Sequence, residues 1–334
     1  TFDSRKMAFR ITLGILFVGL CLLGARGRTT IKSPIRVGTA YFSNNAFLNQ
    51  LGLNPIFTFI NSVAESSKCK EINLIDSDKA ERIVEEQLEN NDWQNPNIIR
   101  LKPNTNIVLV LMESMAAHKV GHFGEGQSLT PNLDSIIANS LCYEKAYSAG
   151  IHTYNGIYST LFSHPAILNQ HSMKKTVIPN MCGLPQQLRS HGYSTMYFTT
   201  HDDQFDNVAG FLYANDIETV ISQKDYPSKE VKSTLGVPDH IMFEKAIQEL
   251  NSIDNGKPFF VCLMTASDHN PYVLPDDIPF VPKSSEMSRK MIEYADWSIG
   301  KFVSEAKGCK WFDNTLFIFV ADHGASGSSI YEMS

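Results

Sequence analysis

The feature that most constrains the fold is an alternation between strand-like apolar runs and longer helix-like segments over residues 106–321. The strand-like runs read "NIVLVLM" (106–112), "YSTMYFTT" (193–200), "KPFFVCLMT" (257–265) and "NTLFIFVA" (314–321). A near-continuous apolar run is typical of a strand that is covered on both faces, as in parallel sheets. Helix-like segments lie between the runs, at 130–140, 183–192, 237–253 and 287–307. The alternation predicts an α/β fold with a mostly parallel sheet sandwiched by helices.

An apolar segment near the N-terminus predicts a membrane helix. Residues 11–25, "ITLGILFVGLCLLGA", are 15 uncharged residues, and the segment reaches 19 residues from Met7 if Arg10 extends to the interface. A spanning helix needs about 20 residues. A buried helix and a signal peptide are the alternatives. A soluble core helix rarely has seven basic residues around it, and no signal-peptidase-like site follows the run.

Charge separates the N-terminal region from the remainder. Residues 1–36 contain seven Lys or Arg and one Asp, a balance of +6, and since the whole chain carries −6, residues 37–334 carry −12. An acidic main body argues against a nucleic-acid partner. The basic residues on both flanks of the apolar run leave its orientation open.

These patterns divide the chain into three parts. Residues 1–36 are predicted to be the transmembrane helix with its basic flanks, and residues 37–95 a juxtamembrane segment with a linker helix near 76–90. Residues 96–334 are predicted to be the catalytic domain. Because the chain begins at Thr1 and ends 11 residues after His323, we expect this domain to be incomplete at its C-terminus.

Polar residues follow each of the four predicted strands. They are Glu113 after the first, His201-Asp202-Asp203 after the second, Asp268-His269 after the third and Asp322-His323 after the fourth. In parallel α/β sheets, ligands bind at the carboxyl ends of the strands. Four such endings at one edge therefore predict a functional site there.

The predicted edge also has a metal-binding composition. Glu113, Asp322 and His323 provide two carboxylates and an imidazole, a set suited to one Mn²⁺, Mg²⁺ or Zn²⁺ ion. A hydroxyl at a helix start would complete the site, because a metal and a helix N-terminus both stabilise an alkoxide. Thr153 begins the helix-like "TYNGIYSTLF", where it could equally be an N-cap. Composition leaves four other hydroxyls open: Ser148, Ser159, Thr160 and Ser163.

Five motifs in order resemble one protein family. The segments "NIVLVLMES", "TPNLDSIIANS", "AYSAGIHTYNGIYSTL", "FFVCLMTASDHNPY" and "LFIFVADHG" are similar to the catalytic domain of lipoteichoic acid synthase-type phosphoglycerol transferases. That family belongs to the sulfatase-like branch of the alkaline phosphatase superfamily. The resemblance covers about residues 95–325 and implies an enzyme of the cell membrane, with its catalytic domain on the extracytoplasmic side.

The resemblance also implies roles for individual residues. Glu113, Thr153, Asp322 and His323 match the ligands of one Mn²⁺-like ion, and Thr153 matches the nucleophile. His269 matches a histidine near the bound phosphoglycerol, where it could protonate the leaving diacylglycerol oxygen, and His201 matches another residue near the substrate. The implied reaction moves phosphoglycerol, or a similar head group, from a membrane phospholipid through a phosphothreonine to a glycan or polymer acceptor.

Three alternatives remain open from the sequence. A phosphoethanolamine transferase would share the nucleophile and the metal but have a different head-group pocket. A sulfatase-like hydrolase would need a Cys or Ser in the motif C-x-P-x-R, and Cys182 in "MCGLPQQLR" does not fit it. A non-enzymatic relative would bind phospholipid or polymer without turnover, although the presence of all four candidate ligands argues against this.

Overall fold

The computed structural model describes residues 4–27, 29, 37–41, 43, 45–66, 75–89, 101–124, 127–165, 171–174, 178–253 and 256–324. Its centre is a sheet of five parallel strands in the order β3-β2-β4-β1-β5. The strands are β1 (Asn106–Met112), β2 (Ser194–Thr199), β3 (Thr219–Ile221), β4 (Phe259–Met264) and β5 (Thr315–Ala321). The predicted α/β class with a parallel sheet is confirmed.

Both faces of the sheet are covered, which explains the continuous apolar runs. Alternate residues of β1 enter two separate cores: Val108 and Val110 pack on one face, while Leu109 and Leu111 pack on the other. All seven residues of β1 are buried. Each fully buried Val or Leu side chain stabilises the fold by about 1.5–3 kcal/mol.

Helices form the two outer layers. Residues of α5, α9 and α10 pack on the first face, and residues of α6, α7 and α8 pack on the second. Their bounds are α5 Pro131–Ala138, α6 Thr153–Phe162, α7 Leu184–Ser190, α8 Val208–Ala214, α9 Asp239–Ser252 and α10 Met287–Ala306. The sandwich predicted from the sequence is therefore present.

Among the described residues, four α-helices precede the sheet: α1 (Ser4–Arg26), α2 (Ala46–Leu51), α3 (Pro55–Ser66) and α4 (Ser77–Glu89). The segment Lys6–Arg26 of α1 is long and apolar enough to span a membrane, and none of its most apolar stretch is buried. Helix α4 matches the predicted linker helix. The boundary predicted near residue 95 lies outside the described residues.

Two local predictions need correction. The short strand β3 was not predicted, because three residues are too few to form a recognisable apolar run. Thr153 is the first residue of α6, and the N-cap position is occupied by His152. The N-cap alternative for Thr153 is therefore wrong, and its hydroxyl is not used to close the helix N-terminus.

Candidate metal and phosphoryl-transfer site

The strand order brings the predicted polar endings to neighbouring positions. Strand β1 lies between β4 and β5, with Leu111 paired to Met264 and Met112 paired to Ala321. Residues that follow these pairs, Glu113 after β1 and Asp322 after β5, are therefore adjacent. Since β2 lies beside β4, His201 and His269 extend the same edge on the other side of Glu113.

Glu113, Asp322 and His323 form a compact, buried cluster. One ligand atom of each lies within 4.8 Å of the others, and the three residues are 5%, 1% and 8% exposed. His323 Nε2 lies 3.5 Å from Glu113 Oε1 and 3.3 Å from Asp322 Oδ2. His323 Nδ1 is 2.7 Å from the carbonyl oxygen of Gly324. A proton on Nδ1 would satisfy that contact and leave Nε2 directed at the two carboxylates.

Main-chain groups hold the two carboxylates in place. Asp322 Oδ1 accepts hydrogen bonds from the N–H groups of Ser114 (2.8 Å) and His323 (2.6 Å). Ser114 has a left-handed backbone, with φ 52°, and its hydroxyl donates to Glu113 Oε1 at 2.8 Å. The N–H of Glu113 donates to Thr265 Oγ1 at 2.9 Å. These contacts fix one oxygen of each carboxylate and leave the other for a further partner.

Thr153 is brought to this cluster by α6. Its hydroxyl donates to Glu113 Oε2 at 3.1 Å, and the residue is half-buried. One turn into α6, Gly156 packs directly on Asp322: an added Cβ there would lie 2.6 Å from both the carbonyl oxygen and the Cβ of Asp322. The absence of a side chain at Gly156 allows this approach, which places the Thr153 hydroxyl at the carboxylates.

The pKa values in the cluster reflect crowded negative charge. Burial, and then repulsion by Glu113, raise the pKa of Asp322 to about 7. Burial opposes protonation of His323, but its contacts with Glu113 and Asp322 outweigh it and raise the pKa to about 9. Burial would raise the pKa of Glu113, but its hydrogen bond with His323 and the attraction between their charges outweigh burial and lower the pKa. A positive charge placed between the Glu113 and Asp322 carboxylates is therefore stabilised.

The arrangement fits a divalent cation. Asp322 Oδ2 is buried without a hydrogen-bond partner among the described residues, which is costly unless a cation or proton meets it. Two carboxylates, an imidazole nitrogen and a hydroxyl are the oxygen- and nitrogen-rich ligands that Mn²⁺, Mg²⁺ or Zn²⁺ accept. Glu113, Thr153, Asp322 and His323 are the residues that would hold such an ion.

His201 follows β2 and His269 follows β4, so both lie on the part of the edge away from β5. We call this part the histidine side, and the part with Glu113, Asp322 and His323 the metal side. His201 is half-buried with Nδ1 2.9 Å from Thr199 Oγ1, and burial lowers its pKa, so the ring is neutral near pH 7. His269 is exposed, and its charge contributes to lowering the pKa of Glu113. Both histidines are thus within electrostatic range of the cluster, and their substrate contacts remain predictions.

The sequence did not reveal a second ionic group beside His201. Asp206, in the loop after β2, contacts His171 Nε2 at 3.1 Å and the ammonium of Lys174. Burial alone would raise the pKa of Asp206, but its hydrogen bonds with His171 and Lys174 lower it to about 2. The ring of His171 stacks on Tyr154, the neighbour of Thr153, at 3.8 Å between centroids. This group joins the loop after β2 to the start of α6.

Comparison with known proteins agrees with the fold. The sulfatase family model matches residues 105–332. The lipoteichoic acid synthase-like protein YvgJ of Bacillus subtilis is 20% identical over 243 residues, covering 67% of this chain and 37% of that protein. Phosphoglycerol transferase I of Xanthomonas campestris is 21% identical over 169 residues, covering 47% of this chain and 24% of that protein.

A solved structure of a protein in the alkaline phosphatase superfamily from Vibrio parahaemolyticus is also similar. It has a TM-score of 0.62 and 28% identity, with 69% of this chain and 57% of that chain covered. The chain belongs to the sulfatase family, as the resemblance in its motifs predicted. It spans less than two fifths of the two curated relatives it matches.

Proposed function

We propose that the chain is a metal-dependent, membrane-anchored transferase that moves phosphoglycerol, or a similar head group, from a phospholipid through a phosphothreonine to a glycan or polymer acceptor. The observation that carries the proposal is the contact between Thr153 Oγ1 and Glu113 Oε2, 3.1 Å, at the start of α6 beside Asp322 and His323. A hydroxyl among buried cation ligands is placed for use as a nucleophile.

Each step of the proposed reaction uses a residue of this edge. A divalent ion, when bound, supplies positive charge that favours ionisation of the Thr153 hydroxyl and offsets phosphate charge. The ionised Thr153 oxygen, its proton lost to solvent, attacks phosphorus while the phosphorus–oxygen bond to diacylglycerol breaks. His269 protonates the departing oxygen. An acceptor hydroxyl then gives its proton to His269 as its oxygen attacks phosphorus, and the bond from phosphorus to the Thr153 oxygen breaks, which transfers the head group and restores both residues.

The N-terminal region supports a lipid substrate. Helix α1 is long and apolar enough to hold the chain at a membrane, which would raise the effective concentration of a phospholipid near Thr153. The name of one curated relative, phosphoglycerol transferase I, points to phosphoglycerol as the transferred group. We place the catalytic domain on the extracytoplasmic side, where an acceptor glycan or polymer of the envelope would lie.

The test is to incubate the full chain with Mn²⁺ and phosphatidylglycerol and to map its peptides by mass spectrometry. We expect glycerol phosphate on Thr153 and release of diacylglycerol. Thr153→Ala should abolish the adduct and lower release by at least about 10³-fold, because it removes the nucleophile. Ser159→Ala is the matched control, since Ser159 Oγ donates only within α6, to the carbonyl oxygen of Gly156 at 3.2 Å. Ser163→Ala should also retain activity.

The outcomes separate the competing functions. Near-normal diacylglycerol release by Thr153→Ala would refute the nucleophile. An ethanolamine phosphate adduct from phosphatidylethanolamine, without an adduct from phosphatidylglycerol, would show that phosphoethanolamine is the transferred group. The proposed mechanism would then be unchanged. Release of sulfate from sulfate esters, with no activity on phospholipids, would refute the substrate class. Phospholipid binding without release would favour the non-enzymatic alternative.

A further inference from the structure

A buried lysine connects the two loops that carry opposite sides of the site. Lys119 lies in the short turn Ala117–Lys119 after β1, and its side chain is 11% exposed. The ammonium donates to Ser114 O at 2.8 Å and to the carboxylate of Asp268, whose side chain is 2% exposed. Both ends of this bridge are inside the protein, so the contact is not a solvated surface ion pair.

Each partner of Lys119 is joined to a different group of the site. Ser114 contacts the two carboxylates among the candidate metal ligands, since its N–H donates to Asp322 and its hydroxyl to Glu113. Asp268 immediately precedes His269 in the loop after β4. The ammonium therefore ties the backbone of the metal side to the residue adjoining the exposed histidine.

Within the described part of the chain, the loop around His269 has few other anchors close to that residue. Asp239 accepts hydrogen bonds from the N–H groups of Ala266 and Ser267, at 2.9 and 3.3 Å, which holds the start of the loop. His269 itself is exposed, and its ring contact is with the carbonyl of its neighbour Asn270. The contact between Asp268 and Lys119 is the anchor nearest to His269 in sequence.

Energetics favour a positional role for the pair over a stabilising one. Moving a lysine and an aspartate out of water offsets much of their mutual attraction, and buried ion pairs can often be replaced by apolar residues without loss of stability. A pair at the junction of two loops of the candidate site is then explained by the geometry it imposes.

We propose that Lys119 is a positioning residue that sets the placement of His269 relative to Thr153 and Glu113 by joining Asp268 to Ser114. The inference rests on the proposed function, in which His269 protonates the leaving oxygen. Misplacement of a catalytic group by about 1 Å can cost on the order of 10²-fold in rate.

The first experiment compares Lys119→Met with the wild-type full chain in diacylglycerol release from phosphatidylglycerol. We expect kcat to fall by about 10²-fold while KM and bound Mn²⁺ stay within about twofold, since positioning of the proton donor acts on the chemical step. Lys229→Met is the matched control, because the Lys229 side chain is 82% exposed and contacts only its neighbour Glu230 among the described charged residues. An unchanged kcat in a folded Lys119→Met protein would overturn the proposal.

Two further variants separate position from stability. Lys119→Met/Asp268→Leu removes both charges, so its thermal stability should recover while kcat stays low. In a His269→Ala background, Lys119→Met should cause no additional loss, because the two residues act through one proton transfer. Recovery of kcat together with stability, or a full additional loss in the His269→Ala background, would overturn the role.

A spectroscopic readout distinguishes this inference from the proposed function. In ¹⁵N-histidine-labelled full chain, the His269 ring signal is assigned by its loss in His269→Ala. It should shift or broaden in Lys119→Met and stay unchanged in Lys229→Met. If wild-type protein releases no diacylglycerol, the proposed function fails while this measurement still decides whether Lys119 orders His269. An unchanged signal in Lys119→Met would refute the positioning role.

Discussion

The two sides of the site are held by different kinds of contact. On the metal side, main-chain N–H groups of Ser114 and His323 bind Asp322 directly, and the backbone of Glu113 is bound by Thr265. On the histidine side, the loop after β2 is held by side-chain contacts of Asp206 with His171 and Lys174.

This difference has a functional consequence. Main-chain contacts depend on the strand register, so the candidate metal ligands are preformed wherever the sheet is formed. Side-chain ion pairs between loops can change with single substitutions and leave the sheet intact. We therefore expect metal binding to tolerate changes on the histidine side, and turnover and head-group selectivity to respond to them.

The largest expected effect comes from removing candidate ligands on the metal side. Asp322→Ala/His323→Ala should lower bound Mn²⁺ from about one ion per chain to none, and phospholipid turnover by at least about 10³-fold, because two ligands of a four-ligand site are removed. His201→Ala/His269→Ala is the matched double variant and should keep the ion while turnover falls. Mass spectrometry measures the amount of Mn²⁺ bound per chain. Equal amounts in the two double variants would contradict the assignment of Asp322 and His323, rather than His201 and His269, as metal ligands.

A smaller effect is expected at the packing contact that places Thr153. Gly156→Ala adds a Cβ that would lie 2.6 Å from the carbonyl oxygen of Asp322, so α6 must move. Alanine favours an isolated helix by about 1 kcal/mol, so a loss cannot come from helix propensity. We expect turnover to fall by about 10²-fold. Gly256→Ala serves as the control, since an added Cβ there meets nothing within 4 Å, and equal turnover in both variants would refute the contact.

The smallest expected effect concerns the ion pairs of the histidine side. The pKa of Asp206 is about 2 in the folded chain and about 4 when unfolded, so its ionised form stabilises the fold above pH 4 and this contribution is lost as pH falls towards 2. Asp206→Asn should lower the free energy of unfolding by about 2 kcal/mol at pH 7. The difference should shrink between pH 4 and pH 2, which denaturant unfolding at several pH values measures.

A matched substitution sharpens that measurement. Asp203→Asn removes a contact with Lys224, whose side chain is 60% exposed, and exposed pairs contribute about 0–1 kcal/mol. A pH-independent difference for Asp206→Asn, or equal losses for the two variants, would show that the partly buried Asp206 carboxylate does not hold the loop after β2.

Much of the fold was predictable because its determinants are local. A strand covered on both faces must be apolar throughout, so β1, β2, β4 and β5 were recognisable as runs. Polar residues at the ends of those runs indicated the site edge, and the length of the apolar N-terminal segment indicated α1. Strand β3 was missed because three residues are too few to form a recognisable apolar run.

Other parts of the site depend on contacts between distant residues. Ser114 and Asp322 are 208 positions apart, and nothing in either neighbourhood indicates that a main-chain N–H of one binds the carboxylate of the other. The need for glycine at 156, in helix α6, arises from Asp322, which follows β5, and the partners of Asp206 lie in a separate segment.

The sequence by itself determined that this chain forms a parallel sheet, which residues end its strands and that an apolar helix precedes it, since burial and periodicity act over short stretches of chain. Only the tertiary structure decided that β1 lies between β4 and β5. That order brings Glu113, Asp322 and His323 within 4.8 Å and leaves one oxygen of Asp322 buried without a hydrogen-bond partner among the described residues, 3.3 Å from His323 Nε2. The reason is physical: strand order is chosen by the packing of whole faces against their helices, a sum over many distant contacts that no single motif contains.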